Sequence, residues 1–315
     1  MKSKEAVNNK EKNPLVTVNI LSWNRKDDLH ESLIELKKTT YPNIELIVVD
    51  NASTDGSPKM VETEFPYVKL IKMPENIGIA GWNTGFKEAN GQYIVVLDDD
   101  SYPAPDAIEL MVEEFEKADK DVGIIAFQVR SAEDDKCLTS DWPNQMITFW
   151  GCGAGIKKDL INRIGGYEPK FFLYMNEKEF SIRALKNGFK TIYCKDIIAY
   201  HKSSSVHRTN YRSFFYANKN NIFTFLKYYD LSSCFNHIAR LLIYTFARAL
   251  LTYNFHTFFE IWRQALRDFA HDKRDRIKDK DILNFIKDKK WYGLKLGIPP
   301  TLTMEIKRVM LKLVN

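Results

Sequence analysis

Four short apolar runs, each leading into polar residues, constrain this chain more than any other feature. They are VTVNIL at 16–21, IELIVVD at 44–50, VKLIKM at 68–73 and YIVVLDDD at 93–100. Nearly continuous aliphatic and β-branched runs describe strands buried on both faces, as in parallel sheets covered by helices. The segments between them supply the helices: an amphipathic stretch at 27–39, a helix-start signal Ser53-Thr54-Asp55-Gly56, and a small-residue stretch at 79–89. Strand and helix alternating in this way predict an α/β fold with βαβ crossovers, a Rossmann-like, mostly parallel sheet flanked by helices. Ligands of such sheets bind beyond the carboxyl ends of the strands. Asn24, Asp50, Asn51 and the run Asp98-Asp99-Asp100 all fall at those ends.

Further along, VGIIAFQV at 122–129 reads as another strand, followed by a polar, Trp-bearing loop at 131–144 and then Phe149-Trp150-Gly151-Cys152-Gly153. Residues 177–187 pattern as a helix closed by Gly188, a residue suited to a left-handed cap. A strand-like stretch at 197–200 runs into His201. Beyond about His207 aromatic and basic residues interleave, and helical patterns continue to Asn315. The expected organisation is a flexible tail at 1–13, an α/β domain at 14–207 and a C-terminal helical region at 208–315.

Charge narrows the partners. The net charge of +5 comes from 46 basic and 41 acidic residues scattered among one another, which does not argue for nucleic acid. Four cysteines, Cys137, Cys152, Cys194 and Cys234, stand far apart with no CxxC pair, so neither a zinc-finger spacing nor a disulfide framework is written here. The polar first 13 residues lack a signal-peptide core. The apolar stretch at 241–255 is broken by Arg248 and falls short of the ~20 residues a spanning helix needs. A cytoplasmic protein, soluble or lying on the inner face of the plasma membrane, is the expectation.

Five segments carry candidate chemistry. Asp98-Asp99-Asp100 ends a buried strand, where carboxylates can converge on a hard divalent cation that neutralises a diphosphate. Adjacent acids repel unless a cation is present; the competing reading is a solvated turn. Asp50 ends another strand and can accept from a nucleobase N–H or a ribose hydroxyl, while Asn51, Ser53 and Asp55 supply turn and cap chemistry. The segment from Glu75 to Gly85 carries Asn76, Gly78, Gly81 and Asn83, with glycines that let a phosphate or a packed helix approach. It lacks GxGxxG and GxxxxGK[ST], against a dinucleotide dehydrogenase and a P-loop NTPase. Glu177 and Glu179 open a helix, where a carboxylate can act as general base or complement the helix dipole. His201 is structural unless a cation site wants a further ligand.

In this order the five segments resemble the family 2 glycosyltransferases of GT-A fold, most similarly the bacterial rhamnosyl- and galactofuranosyltransferases of cell-surface polysaccharide, over about residues 14–208. The resemblance implies an inverting, metal-dependent hexosyltransferase. Asn24 and Asp50 would hold the nucleobase and ribose, with Asn51 and Asp99 beside them. Asn76, Gly78 and Asn83 would shape the donor pocket, and Asp98 and Asp100 would bind Mn²⁺ or Mg²⁺ with His201 nearby. Trp150, Gly151 and Cys152 would lie on the acceptor side. The family's usual Glu-Asp pair falls on Asn176-Glu177, making Glu177 the base, one methylene longer than the usual Asp. Trp82 stands where a small residue is common. The implied partners are a UDP- or dTDP-sugar, with rhamnose or another hexose, and a glycan or polyprenyl-linked acceptor.

Arg212, Lys219, Lys227, Arg240, Arg248, Arg263 and Arg267 interleave with aromatics in the tail. That pattern suits an anionic membrane surface equally with a helical subdomain or a homodimer interface. The rival to an active enzyme is a GT-A scaffold that binds without turnover.

Overall fold

The computed structural model describes residues 13–140, 142–146, 148–202, 210–280 and 282. The chain opens with β1 (Val16–Ser22), α1 (Lys26–Leu36), β2 (Ile44–Asp50), α2 (Ser57–Glu64), β3 (Lys69–Lys72), α3 (Trp82–Glu88) and β4 (Tyr93–Asp98). There follow β5 (Ser101–Pro103), α4 (Ala107–Lys117), β6 (Val122–Ser131), β7 (Gln145–Met146), β8 (Ala154–Lys157), α5 (Lys158–Ile164), α6 (Asn176–Lys186) and β9 (Lys190–His201). Three longer helices close it: α7 (Asn210–Tyr228), α8 (Leu231–Thr252) and α9 (Phe255–Ala270).

Among the described residues the strands form one sheet in the order β3-β2-β1-β4-β8-β6-β9-β5, with β7 paired to β9. The expectation of a mostly parallel sheet holds from β3 to β4. Beyond β4 the sheet is mixed: β6 and β9 pair in parallel, whereas β8 runs antiparallel to both β4 and β6 and β5 runs antiparallel to β9. The four residues of β8 are too few to announce a strand by pattern. The helix expected at 79–89 begins as a 3₁₀ turn, Gly78–Gly81, before α3. The strand-like stretch at 197–200 is the end of the 12-residue β9. The boundary expected at 207/208 and the tail at 1–12 lie outside the described residues.

The parallel ladder places the site. Ser22 pairs with Asp50, and Leu21 pairs with Asp98, so three strands end flush and present their polar terminal residues along one edge. Alternate residues serve two cores. Val16, Val18 and Ile20 of β1 and Val95 and Leu97 of β4 pack with α1, α2 and α4. Ile94 and Val96 of β4 face the opposite layer with Trp82 and Phe86 of α3 and Phe180 of α6. A third cluster joins Ile182 and Leu185 of α6 to Ile222, Phe225 and Tyr228 of α7 and to Ile261 and Ala265 of α9. The C-terminal helices are therefore bound to the α/β body through α6. Among the described residues no helix is long and apolar enough to cross a membrane.

Candidate active site

A cleft of about 550 Å³ opens at the flush strand ends, lined by Leu21, Ser22, Trp23, Asp98 and Asp99 on one side and by the 148–152 and 172–178 segments on the other. Asp98 faces the cleft. Asp99 is 6% exposed; it accepts from the Trp23 N–H at 3.3 Å and from Arg25 Nη1 at 3.2 Å. Burial pushes its carboxyl up to about 7, with Asp100 and Asp98 adding to the rise and Arg25 opposing it. Asp100 has no exposed surface: one oxygen meets Arg25 Nη1 at 2.8 Å and the other lies 3.3 Å from His201 Nε2. The repulsion among adjacent acids, which in the sequence argued for a metal, is thus met in part by Arg25, an internal cation.

The segment after β3 is fastened from below. Asn51 donates to Asn76 Oδ1 at 2.8 Å and to the Gly78 carbonyl at 3.0 Å, and accepts from the Ile77 N–H at 3.1 Å. Gly78 has φ +67°, and a Cβ there would lie 2.0 Å from the Phe172 carbonyl oxygen, so only glycine fits. Asn51, Asn76 and Gly78 all line the cleft, with their amides spent on loop structure. Trp82 forms part of the wall at 4% exposure, edge-on to Tyr167, and its Nε1 is buried with no hydrogen-bond partner among the described residues. Ser22 Oγ is in the same condition. Buried donors without partners at a cleft wall are sites for ligand oxygens.

Four residues read as ligand-facing have at least one of their polar atoms engaged by other groups of the protein. Asn24 has φ +51°, and its Oδ1 accepts from the Thr54 N–H at 2.7 Å, tying the β1–α1 loop to the β2–α2 loop. Asp50 accepts from the Ser53 N–H at 3.0 Å; its other oxygen, Oδ1, is buried without a partner among the described residues. Asn83 bonds both the carbonyl and the N–H of Tyr167, at 2.9 and 2.7 Å. Asp100 turns to Arg25 and His201, so the carboxylate that lines the cleft beside Asp98 is Asp99. Gly56 takes the cap position of α2, and Asp55 just before it accepts from the Ser57 N–H at 3.0 Å and from the Lys26 N–H at 2.8 Å.

The facing wall is made by loops. Tyr174 and Met175 are consecutive residues in the left-handed region, φ +64° and +67°, immediately before α6. Such conformations cost about 1–3 kcal/mol each and persist where surrounding structure imposes them. Here α7 does so: Asn220, fully buried, donates to the Leu173 and Tyr174 carbonyls, both at 2.8 Å. The kink delivers Glu177 into the cleft, where its Oε1 accepts from the Gly151 N–H at 3.3 Å. A Cβ on Gly151 would come within 2.9 Å of that oxygen. Burial, with Asp98 as the nearby like charge, pushes the Glu177 carboxyl up to about 7. Trp150 stands at the rim, 39% exposed and edge-on to Trp142.

Glu179 does more than complement a helix dipole. It is fully buried, pairs with Arg183 at 2.7 Å, and accepts from the Tyr228 hydroxyl of α7. Lys178, also buried, donates to Asn221 at 2.7 Å, and burial holds its ammonium well below the usual lysine range. Pattern reading missed Lys178, since a lysine in a polar helix start looks solvated. Arg25 was passed over as well, and its signal was its place directly after a strand end. Arg212, read as a surface cation of the tail, lines the cleft and lies over the Trp23 and Phe172 rings at 5.9 and 6.0 Å.

The cleft offers donors that could hold a divalent cation. Asp98, Cys152 and His201 each offer a ligand atom, all within 4.8 Å of one another. Carboxylate and imidazole suit Mn²⁺, and His201 is oriented by Asp100 from behind. Asp98 and His201 could hold such a cation, with Asp100 bracing His201.

Residues 17–195, more than half of the chain, match the family model for Glycosyl transferase family 2. The chain belongs to glycosyl transferase family 2. Glycosyl transfer is its role. The uncharacterized glycosyltransferase YwdF of Bacillus subtilis (strain 168) is 28% identical over 197 residues, 58% of this chain and 73% of that protein. The succinoglycan biosynthesis protein ExoO of Rhizobium meliloti (strain 1021) is 30% identical over 125 residues, 39% of this chain; the match spans 36% of ExoO's length. Among solved structures, the mannosyltransferase PcManGT from Pyrobaculum calidifontis, in complex with GDP-Man and Mn²⁺, superposes with a TM-score of 0.55 at 24% identity, over 71% of this chain and 66% of that one. S. aureus TarS 1-349 in complex with UDP-GlcNAc gives 0.53 at 18% identity, over 67% and 66%. These likenesses establish the GT-A fold that the ordered motifs implied.

Proposed function

We propose that this glycosyltransferase moves a hexose, rhamnose being the first to test, from a UDP- or dTDP-sugar to a hydroxyl of a glycan or polyprenyl-linked saccharide, with inversion. The observation that carries this reading is Glu177: a carboxylate set into the cleft by a strained turn, opposite the strand-end acids, with its carboxyl raised to about 7. A base poised near neutral pH takes a proton from an alcohol most effectively there. Glu177 accepts the proton of the acceptor hydroxyl as that oxygen attacks the anomeric carbon. The bond from that carbon to the diphosphate breaks on the opposite side, the leaving nucleoside diphosphate keeps the electron pair, and one displacement inverts the centre. A divalent cation, when bound by Asp98 and His201, supplies positive charge against the leaving diphosphate. Trp82 Nε1 and Ser22 Oγ are free to donate to donor hydroxyls, and Asp50 Oδ1 to accept from the base.

The test is thermal stabilisation by nucleotide sugars and nucleoside diphosphates with and without Mn²⁺, followed by product analysis with the best donor. Glu177→Gln should retain the nucleotide shift and lose transfer; transfer at near wild-type rate would remove Glu177 from the mechanism. One observation favours the rival scaffold reading: Arg25 supplies a cation to Asp99 and Asp100 without any metal. Nucleotide binding with no turnover of any donor would select that rival.

The acceptor reading extends to α8 and α9. Leu242, Ile243, Phe246 and Leu250 of α8 and Phe259 and Leu266 of α9 are exposed, with Arg240, Arg263 and Arg267 also exposed on the same helices. An apolar face edged by arginine suits the surface of an anionic bilayer, where polyprenyl-linked acceptors reside. Flotation of the full chain with anionic vesicles is expected. A dimer in sedimentation that persists without lipid, with no flotation, would give the face to a second copy.

A further inference from the structure

The proposed displacement draws on Glu177, Asp98 and His201, and Cys152 lies beside the last two in the same cleft. The residue is 4% exposed, in the cleft wall between two glycines. Its Sγ, a carboxylate oxygen of Asp98 and a ring nitrogen of His201 lie within 4.8 Å of one another. Donors held at about 2.0–2.3 Å by one tetrahedral cation stand roughly 3.5 Å apart, so side-chain movements of about an ångström close the set. Independently, the Asp100 carboxylate lies 3.3 Å from His201 Nε2. Carboxylates paired to imidazole in this way orient metal-binding histidines and raise their basicity.

We propose that Cys152 is a direct ligand of the divalent cation in this cleft, and that the resulting nitrogen, oxygen and sulfur donor set favours Zn²⁺ or Co²⁺ over Mg²⁺. The inference rests on the metal-assisted reading above and deepens it. Mg²⁺ demands octahedral oxygen ligands, whereas thiolate selects softer ions. The thiol gives up its proton to solvent as the sulfur–metal bond forms. Burial of Cys152 and the negative charge of Asp98 and Asp100 oppose that loss, and a cation with real affinity for sulfur overcomes it, because a coordinated thiol is deprotonated outright. Three protein ligands on a tetrahedral ion leave one position open, which is what a diphosphate oxygen requires.

The test is a Co²⁺ titration of metal-free full-length protein, read by absorption, on the wild type, Cys152→Ser, Cys152→Ala and His201→Ala, with folding verified by circular dichroism. A thiolate-to-cobalt charge-transfer band in the near ultraviolet is expected in the wild type, displaced by Zn²⁺, and lost in both Cys152 variants. Loss of an outer-shell partner already costs about 10- to 100-fold in metal affinity, so Cys152→Ser should weaken Zn²⁺ by at least that much while Mg²⁺ binding stays the same. No band in the wild type overturns the inference. So does a band that persists in the Cys152 variants, which would assign the sulfur to Cys137, Cys194 or Cys234. UDP and dTDP binding with Mn²⁺ is measured on the same samples. Nucleotide binding without a cobalt–sulfur band overturns only the role of Cys152, and no nucleotide binding with any cation overturns the transfer reading as well.

Discussion

One wall of the cleft stands on strand ends, the other on loops, and they are held in place by different parts of the chain. Ser22, Asp50 and Asp98 meet because β1, β2 and β4 run in register through a parallel ladder. Their positions follow from main-chain hydrogen bonding between neighbouring strands, and side chains need do little more. Glu177 and the residues before it have no ladder. They are placed by a two-residue left-handed kink, which Asn220 of α7 holds through two carbonyls. Lys178 and Glu179 fasten the start of α6 to the same helix through Asn221 and Tyr228. The difference teaches that the C-terminal helices are part of the site: without α7 the strand-end wall would remain and the loop wall would lose its brace.

The largest test of this division is Glu177→Gln. General-base removal costs about 10²–10⁴-fold in rate, so transfer should collapse while nucleotide affinity, which the proposed mechanism assigns to the strand-end wall, changes little. The same substitution carries a stability signature. A carboxyl held at about 7 in the fold and near 4.5 when free binds its proton more tightly in the folded state. The penalty of ionising it therefore grows as pH rises from 4.5 to 7 and is complete above 7, on the order of 2 kcal/mol after allowance for its partial exposure. Glutamine escapes it, so the variant should melt higher than wild type at pH 8 and alike at pH 4. In the wild type, transfer should rise with pH through about 7 as Glu177 ionises; a flat profile would detach the base from that carboxyl.

Next comes Gly78→Ala, aimed at the junction between the walls. The added Cβ meets the Phe172 carbonyl at 2.0 Å in a backbone of φ +67°. A cost of about 2–4 kcal/mol is expected, visible as a lower melting temperature; an unchanged one would mean that the two walls do not touch there. Asn220→Leu is a cleaner cut. It leaves two buried carbonyls without their donor, about 1–3 kcal/mol, and should lower kcat by roughly tenfold while nucleotide Kd holds. Equal losses in both would show that the brace serves the whole fold. Trp82→Phe should have the smallest effect: removing one indole N–H costs about 1 kcal/mol, read as a severalfold rise in donor KM with kcat nearly unchanged.

Much of the strand-end wall was legible beforehand. β1, β2 and β4 were visible as apolar runs because strands covered on both faces are mostly aliphatic, even though Thr17 and Asn19 lie buried within β1, and the acids sit where those runs stop. Even there, which acids face the ligand was not legible. Asp100 rather than Asp99 looked like the partner of Asp98, since alternation along an ideal strand puts positions 98 and 100 on one side. The chain instead turns at once into β5, and Asp100 falls between Arg25 and His201. Nor was it legible that Asn24 and Asn83 bond the backbone of distant loops, at Thr54 and Tyr167, because an asparagine so engaged has the same letter as one that waits for a ligand.

The sequence by itself determined the layered α/β body, the edge at which a ligand binds, the helix that carries Glu177, and family membership through an ordered set of short motifs. These depend on periodicity and on neighbours close along the chain. Tertiary structure alone decided that Arg25 neutralises Asp99 and Asp100, that Cys152 and His201 meet Asp98, that β8 reverses the sheet, and that Arg212 leaves the surface for the cleft. Each of those joins residues tens to more than a hundred positions apart. Such pairings arise from how whole elements pack, and no local pattern of residue types encodes them.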